Sequence, residues 1–155
     1  MTNVFLVKYG ELAIKGKNRY IFENRLVATI RRNLKPLGKF EVQKEQGRIT
    51  VEPKEDNIDP QIVIDKLSRV FGIIGIAYGT KREEVSFDAV KELALEHMKA
   101  ELEHKDYLTF KVNTKRADKR FPMASMEVSA ELGAYLLDEF PDKLKVDVHN
   151  PDMIL

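Results

Sequence analysis

The sequence predicts an α+β protein with two successive domains, and three observations lead to this prediction. Short apolar stretches with a period of two, typical of strands, alternate with stretches in which apolar residues recur every three or four positions, as on one face of a helix. The first half of the chain reads in the order βαββαβ. A charged stretch, residues 81–84, then separates it from a second group of helices and strands. We therefore expect one domain at residues 1–80 and another at residues 81–155.

The order βαββαβ in residues 1–80 is that of a ferredoxin-like domain. Residues 4–9 are apolar enough for a buried strand, and Asn18 is suited to cap the helix that follows. That helix is amphipathic, because apolar residues recur every four positions from Phe22 to Leu34. The remaining elements are a hairpin that turns at Gly47, a helix that opens at Asp59 and Pro60, and a central strand at residues 73–78.

The second domain is predicted to be of mixed α/β type. Ser86 can cap its first helix, whose apolar face runs from Val90 to Leu102. The next elements are a strand through Leu108, Phe110 and Val112, a helix capped by Ser125, a strand through Leu144, Val146 and Val148, and the start of another strand at Met153. Because that last strand has only begun at residue 155, we expect a domain that is truncated at its C-terminal end and a chain that is a fragment of a longer polypeptide.

The loop at residues 114–120 carries four cationic side chains against one carboxylate, Asp118. With a strand before it and a helix N-terminus after it, this loop would form a phosphate cradle, because backbone N–H groups and the helix dipole add to the Lys and Arg charge. Phe121 could stack on an unpaired base, and we expect Met123 and Met126 to fill the core beneath. A charge run is also typical of an ordinary solvated loop, so composition alone leaves both interpretations open.

The composition excludes several classes of chemistry. The chain has no cysteine, so it has no thiolate metal ligand and no cysteine nucleophile. Its three histidines lack ligand spacing, and we predict neither a metal site nor a catalytic residue. The net charge of +1 allows a local basic face but not a uniformly basic protein. With no signal peptide and no apolar run long enough to cross a membrane, we expect a cytoplasmic protein without a membrane partner.

Two motifs resemble known families. The Phe-Lys-Val strand, the Thr-Lys-Arg and Lys-Arg-Phe-Pro loop, the helix with Glu131-Leu132-Gly133 and the Asn150-Pro151-Asp152 turn are together similar to the THUMP family of RNA-binding domains. Residues 8–19, which read KYGELAIKGKNR, followed by Phe22-Glu23, resemble the opening of the tRNA 4-thiouridine synthetases, also called tRNA sulfurtransferases. In that family a ferredoxin-like domain precedes the THUMP domain, which is the order predicted here.

This resemblance implies that the chain binds the acceptor stem and 3′ end of tRNA on behalf of a thiolating enzyme. The implied enzyme makes 4-thiouridine with ATP and Mg and takes sulfur from a cysteine desulfurase. It also has a role in sulfur transfer to the thiamine thiazole. The resemblance allows a homodimer but does not require one. The phosphate loop that would bind ATP is absent from these 155 residues, so we expect no cofactor and no thiolation by this chain alone. The residues expected to bind RNA are Lys15, Lys17, Arg19, Lys111, Lys115, Arg116, Lys119, Arg120 and Phe121.

The opposing hypothesis is a regulatory or scaffolding α+β module that binds an anionic metabolite or a protein. Such a module would need no steep dependence of binding on salt and no preference for an RNA stem with an unpaired 3′ end, whereas an RNA-binding domain should show both.

Overall fold

The computed structural model describes residues 2–10, 18–45 and 47–155. The chain divides into two compact units, unit 1 at Met1–Lys81 and unit 2 at Arg82–Leu155. Each unit contains both helices and strands, so the predicted α+β class is confirmed. No helix among the described residues is both long enough and apolar enough to cross a membrane.

Unit 1 has the ferredoxin-like order βαββαβ, as predicted. The elements are β1 (Thr2–Tyr9), α1 (Arg19–Leu34), β2 (Phe40–Glu45), β3 (Arg48–Pro53), α2 (Pro60–Ser68) and β4 (Ile73–Lys81), with a 3-10 turn at Lys35–Leu37 after α1. The four strands form one antiparallel sheet in the order β2-β3-β1-β4.

The core of unit 1 lies between the sheet and both helices. Alternate residues of β1 and β3 are buried there, as the two-residue period predicts, and they meet a stripe of α1 residues spaced three and four apart. Each of these buried side chains stabilises the fold by about 1.5–3 kcal/mol relative to exposure. The largest buried side chains are Phe5, Val7, Ile30, Leu34, Ile49, Val51, Val63 and Leu67.

The N-terminal ends of the two helices of unit 1 are only partly as predicted. Asp59 caps α2 as expected, since its Oδ1 accepts a hydrogen bond from the Gln61 N–H at 2.9 Å, and Pro60 is the first helical residue. Asn18 occupies the N-cap position of α1, but its side chain makes no capping hydrogen bond.

The prediction of a central strand at residues 73–78 is wrong, because β4 lies at the edge of the sheet. β4 pairs with β1, and among the described residues it pairs with no other strand. Its apolar run reflects burial on one side only: Ile73 and Ile76 pack on the core, whereas Ile74 is 71% exposed. The glycines between them supply no side chain to show this alternation in the sequence.

Unit 2 is built around three parallel strands. The elements are α3 (Phe87–Leu102), β5 (Leu108–Lys111), α4 (Ser125–Glu139), β6 (Leu144–Val146) and β7 (Met153–Ile154). The strands lie in the order β6-β5-β7. Parallel neighbours require a crossover connection, and α4 supplies it between β5 and β6. The core between the helices and the sheet contains Met98, Leu108, Phe110, Leu132, Leu136 and Leu144.

The predicted cap of α3 is confirmed, because Ser86 Oγ accepts a hydrogen bond from the Ala89 N–H at 3.1 Å. The strand predicted through Val148 is too long, since β6 ends at Val146. Asp147 ends it: its Oδ1 accepts hydrogen bonds from the N–H groups of His149 and Asn150, both at 3.0 Å, which turns the backbone away from the sheet.

Candidate nucleic-acid interface

The cationic loop connects β5 to α4 and lies at the carboxyl edge of the parallel strands, the edge at which α/β sheets commonly bind ligands. Arg116 holds this loop in shape from within. Its Nη1 donates hydrogen bonds to the carbonyl oxygens of Phe121 and Met123, both at 3.1 Å, so one guanidinium joins the two ends of the loop. Arg116 is half-buried, unlike its cationic neighbours in the loop.

Two further hydrogen bonds join the loop to α4. The backbone N–H of Arg116 donates to Ser125 Oγ at 3.3 Å, and the hydroxyl of Ser129 donates to Thr114 Oγ1 at 2.8 Å. The prediction that Ser125 caps α4 is therefore wrong. Ala124 is the N-cap, and Ser125 is the first helical residue, whose hydroxyl is occupied by the loop rather than by the helix. The loop and the helix start thus form one connected piece of structure.

The remaining charges of the loop differ in how far they are neutralised. Arg120 forms a bidentate pair with Asp118, with Nη2 to Oδ2 at 2.6 Å, and this hydrogen bond holds the pKa of Asp118 below its usual value. Lys115 and Lys119 are exposed, and within the described part of the chain neither forms an ion pair. These two lysines are therefore the charges most available to an anion.

The N-terminus of α4 adds to this positive field. No side chain caps it, so the N–H groups of its first turn keep the unpartnered donors that favour an anion at a helix start. One acidic residue, Glu127, lies in the same turn and opposes part of this effect. The lysines, the helix end and the loop backbone together can bind a phosphate, although each alone would be weak.

The other predicted site residues of unit 2 lie around the same loop. Lys111 is the last residue of β5 and is half-buried, and Phe121 is half-buried in the loop itself. The prediction that Met126 fills the core is wrong, because its side chain is 86% exposed. The apolar face of α4 begins two positions later at Val128, which is buried. Met123 is half-buried and contributes its carbonyl oxygen to the bond with Arg116.

Unit 1 contributes Arg19 to the predicted set, while Lys15 and Lys17 lie outside the described residues. Arg19 is the first residue of α1, and its Nε donates to Glu23 Oε1 at 2.7 Å. Glu23 is a buried carboxylate, and Lys44 Nζ lies 3.5 Å from its other oxygen. Burial alone would raise the pKa of Glu23, but the Arg19 hydrogen bond, the Tyr9 hydroxyl and the Lys44 charge together outweigh it, so this pKa lies below its usual value.

Glu23 was not among the predicted site residues, although its spacing from Arg19 in the sequence indicates an ion pair. An acid four residues after a base on a helix is placed to form a pair with it. What the spacing could not show is that the acid is buried. Tyr9 is also buried, its hydroxyl is a neighbour of Arg19 and Glu23, and burial raises the pKa of that hydroxyl.

A cavity in unit 1 is a poor site for ATP. The cavity at one end of unit 1 has a volume of about 190 Å³, and the carboxylates of Glu55 and Asp56 line it. Such a site is small for a nucleotide and would repel a triphosphate. Among residues 2–10, 18–45 and 47–155, no three acidic or histidine side chains lie together as metal ligands.

Comparison with known families defines first the class of protein. The ThiI ferredoxin-like domain family matches residues 4–77, and the THUMP domain family matches residues 84–155. These matches confirm both resemblances found in the sequence, in the same order.

Curated relatives then identify the particular family. The chain is 45% identical over its whole length to a probable tRNA sulfurtransferase of Acetivibrio thermocellus, and 46% identical over its whole length to one of Agathobacter rectalis. It covers 39% of the length of each of these relatives. The chain belongs to the tRNA 4-thiouridine synthetase (tRNA sulfurtransferase) family, of which it carries the ferredoxin-like and THUMP domains.

Solved structures agree with this assignment. A 4-thiouridine synthetase crystallised with RNA and bound ATP matches the whole chain with a TM-score of 0.78 and 36% identity, and the match covers 38% of that protein. A protein of Pyrococcus horikoshii Ot3 matches 98% of the chain with a TM-score of 0.83 and 31% identity, over 49% of its own length.

Proposed function

We propose that this chain binds tRNA, at the acceptor stem and 3′ end, for an enzyme that makes 4-thiouridine. The observation that carries this proposal is the loop between β5 and α4. Arg116 holds the loop in one shape, and the exposed Lys115 and Lys119 lie on it beside the uncapped N-terminus of α4. A nucleic acid backbone offers the repeated phosphate groups that such a surface binds.

The hydrogen bonds of the loop matter as much as its charge. A flexible cationic loop would lose conformational entropy on binding, which costs about 0.5–1.5 kcal/mol for each long side chain that becomes ordered. Arg116 already makes its contacts inside the protein, so much of the loop backbone is ordered before any ligand arrives. Phe121, next to Arg120, could add stacking on an unpaired base, which is the usual way in which single-stranded RNA is recognised.

The comparisons support RNA as the ligand. The relatives are named for tRNA, and the 4-thiouridine synthetase that resembles this chain was crystallised with RNA. The chain itself would supply position rather than chemistry, since holding the RNA fixes where a distant uridine reaches the reacting groups.

We extend the proposal to the whole enzyme. The parts of the polypeptide that these residues do not include would bind ATP with Mg and accept sulfur from a cysteine desulfurase, in the cytoplasm. A homodimer and a second role in sulfur transfer to the thiamine thiazole also belong to this proposal.

A binding comparison tests the proposed ligand. We expect the chain to bind an RNA hairpin with the acceptor stem and four unpaired 3′ nucleotides roughly tenfold more tightly than the same hairpin with a blunt end, because one unpaired base stacked on Phe121 adds about 1–3 kcal/mol. Fluorescence anisotropy with both hairpins at one salt concentration measures this ratio. Equal affinities would contradict recognition of the 3′ end, and binding to neither hairpin would favour a module for an anionic metabolite or a protein.

A further inference from the structure

We infer that Glu23 is a positioning residue that holds the guanidinium of Arg19 for contact with an RNA phosphate on unit 1. This inference rests on the proposed RNA-binding function and adds to it a second contact, which is made by unit 1. Its basis is the asymmetry of one ion pair, in which the acid is buried and the base is exposed.

The geometry fixes one edge of the Arg19 side chain. Nε of Arg19 donates to Oε1 of Glu23 at 2.7 Å, a short charge-assisted hydrogen bond. Because this bond uses Nε, the two Nη groups at the tip of the side chain can still bind a phosphate, and the Tyr9 hydroxyl is a second neighbour of this side chain. A planar guanidinium that is held in place through its Nε is suited to a bidentate contact with phosphate.

The burial of Glu23 distinguishes this pair from an ordinary surface ion pair. Exposed pairs four residues apart on a helix contribute little, because both side chains move and water screens them. Here the side chain of Glu23 is only 8% exposed, while that of Arg19 is 53% exposed. The carboxylate is therefore a fixed anchor on the protein side, and the guanidinium reaches from it into solvent.

The charges around Glu23 leave a positive excess. Arg19 and Lys44 both lie within ion-pair distance of this one carboxylate, so the three groups together carry a net charge of one positive. Lys44 Nζ also contacts Asn24 Oδ1 at 3.4 Å, which places the second cation on the same side of α1. An arrangement meant only to neutralise a buried acid would need one cation, and the second makes the cluster attractive to an anion.

The sign of the effect separates positioning from simple electrostatics. Replacing Glu23 by glutamine removes a negative charge, and charge alone would then make an RNA phosphate bind more tightly. If Glu23 positions Arg19, the same replacement must weaken binding, because the glutamine oxygen accepts only a weaker, neutral hydrogen bond and the guanidinium is held less firmly before RNA binds. The two accounts thus predict opposite changes for one substitution.

The experiment is a double-mutant cycle on RNA affinity with the acceptor-stem hairpin as the probe. We expect Arg19→Ala to weaken binding roughly fivefold and Glu23→Gln to weaken it roughly threefold or more. In the Arg19→Ala background, Glu23→Gln should have no further weakening effect. The matched control is Glu45→Gln, which removes an exposed acid paired with Arg48 and should leave the affinity unchanged or slightly higher.

A second variant keeps the test independent of folding. Arg19→Lys retains the charge on an exposed side chain but cannot present the same fork, so its affinity should fall close to that of Arg19→Ala. Wild-type affinity of Arg19→Lys, or tighter binding by a folded Glu23→Gln, would overturn the inference. If these variants bind normally while substitutions of Lys115 and Lys119 weaken binding, only the inference fails; if the wild-type chain binds no RNA, the proposed function fails with it.

Discussion

Replacing both Lys115 and Lys119 by glutamate is expected to weaken RNA binding by about 2 kcal/mol or more, which is roughly thirtyfold. Both lysines are exposed and without an ion pair among the described residues, so each reversal turns an attraction for phosphate into a repulsion. Neither side chain holds the loop together, because that role belongs to Arg116. The fold should therefore be unaffected, and circular dichroism with urea unfolding checks this point.

The matched control reverses two other exposed lysines of unit 2. Lys99 lies on α3 and Lys143 precedes β6, and neither forms an ion pair in the described part of the chain. The variant Lys99→Glu with Lys143→Glu has the same net charge as the loop variant. An equal loss of affinity in both variants would mean that only total charge matters and that the loop is not the binding surface.

Replacing Arg116 by lysine is expected to weaken RNA binding roughly tenfold although the charge is unchanged. Lysine cannot reproduce the guanidinium that reaches both the Phe121 and Met123 carbonyl groups. The loop would then be ordered only when RNA binds, at a cost of about 1–2 kcal/mol. Because the number of cations stays the same, the dependence of affinity on salt should keep the wild-type slope. A weaker affinity with an unchanged slope would show that the loop is no longer ordered before RNA binds.

Arg120→Lys is the control for that experiment. Arg120 is exposed and paired with Asp118 within the loop, and exposed pairs of this kind contribute about 0–1 kcal/mol. We expect its affinity to stay within about threefold of the wild type. Wild-type affinity for Arg116→Lys would show that the hydrogen bonds of Arg116 do not shape the binding surface.

Much of the fold could be predicted because its signals are local. The apolar period of β1 and α1, the Asp59 and Ser86 caps and the βαββαβ order are all read from neighbouring residues. The position of β4 could not be read in this way. Which strand pairs with which depends on the whole sheet, and an apolar run with glycines does not distinguish an edge strand from a central one.

The site was predicted by residue type but not by role. The sequence placed four cations in one loop, yet only the structure distinguishes the internal bonds of Arg116 and the Asp118 pair of Arg120 from the exposed Lys115 and Lys119. The bonds of Arg116 go to backbone carbonyl groups, which no residue pattern encodes, whereas Arg120 pairs with a neighbouring carboxylate. The burial of Glu23 is likewise a tertiary property.

The most direct test of RNA binding by this chain is the salt dependence of its affinity for the acceptor-stem hairpin. If about five phosphates are neutralised, log K should fall linearly against log salt with a slope of roughly −3.5 to −4.5. The variant with Lys115→Glu and Lys119→Glu should show a shallower slope, because it makes two fewer phosphate contacts. A flat response of the wild-type chain to salt, or one slope shared by both proteins, would contradict the account.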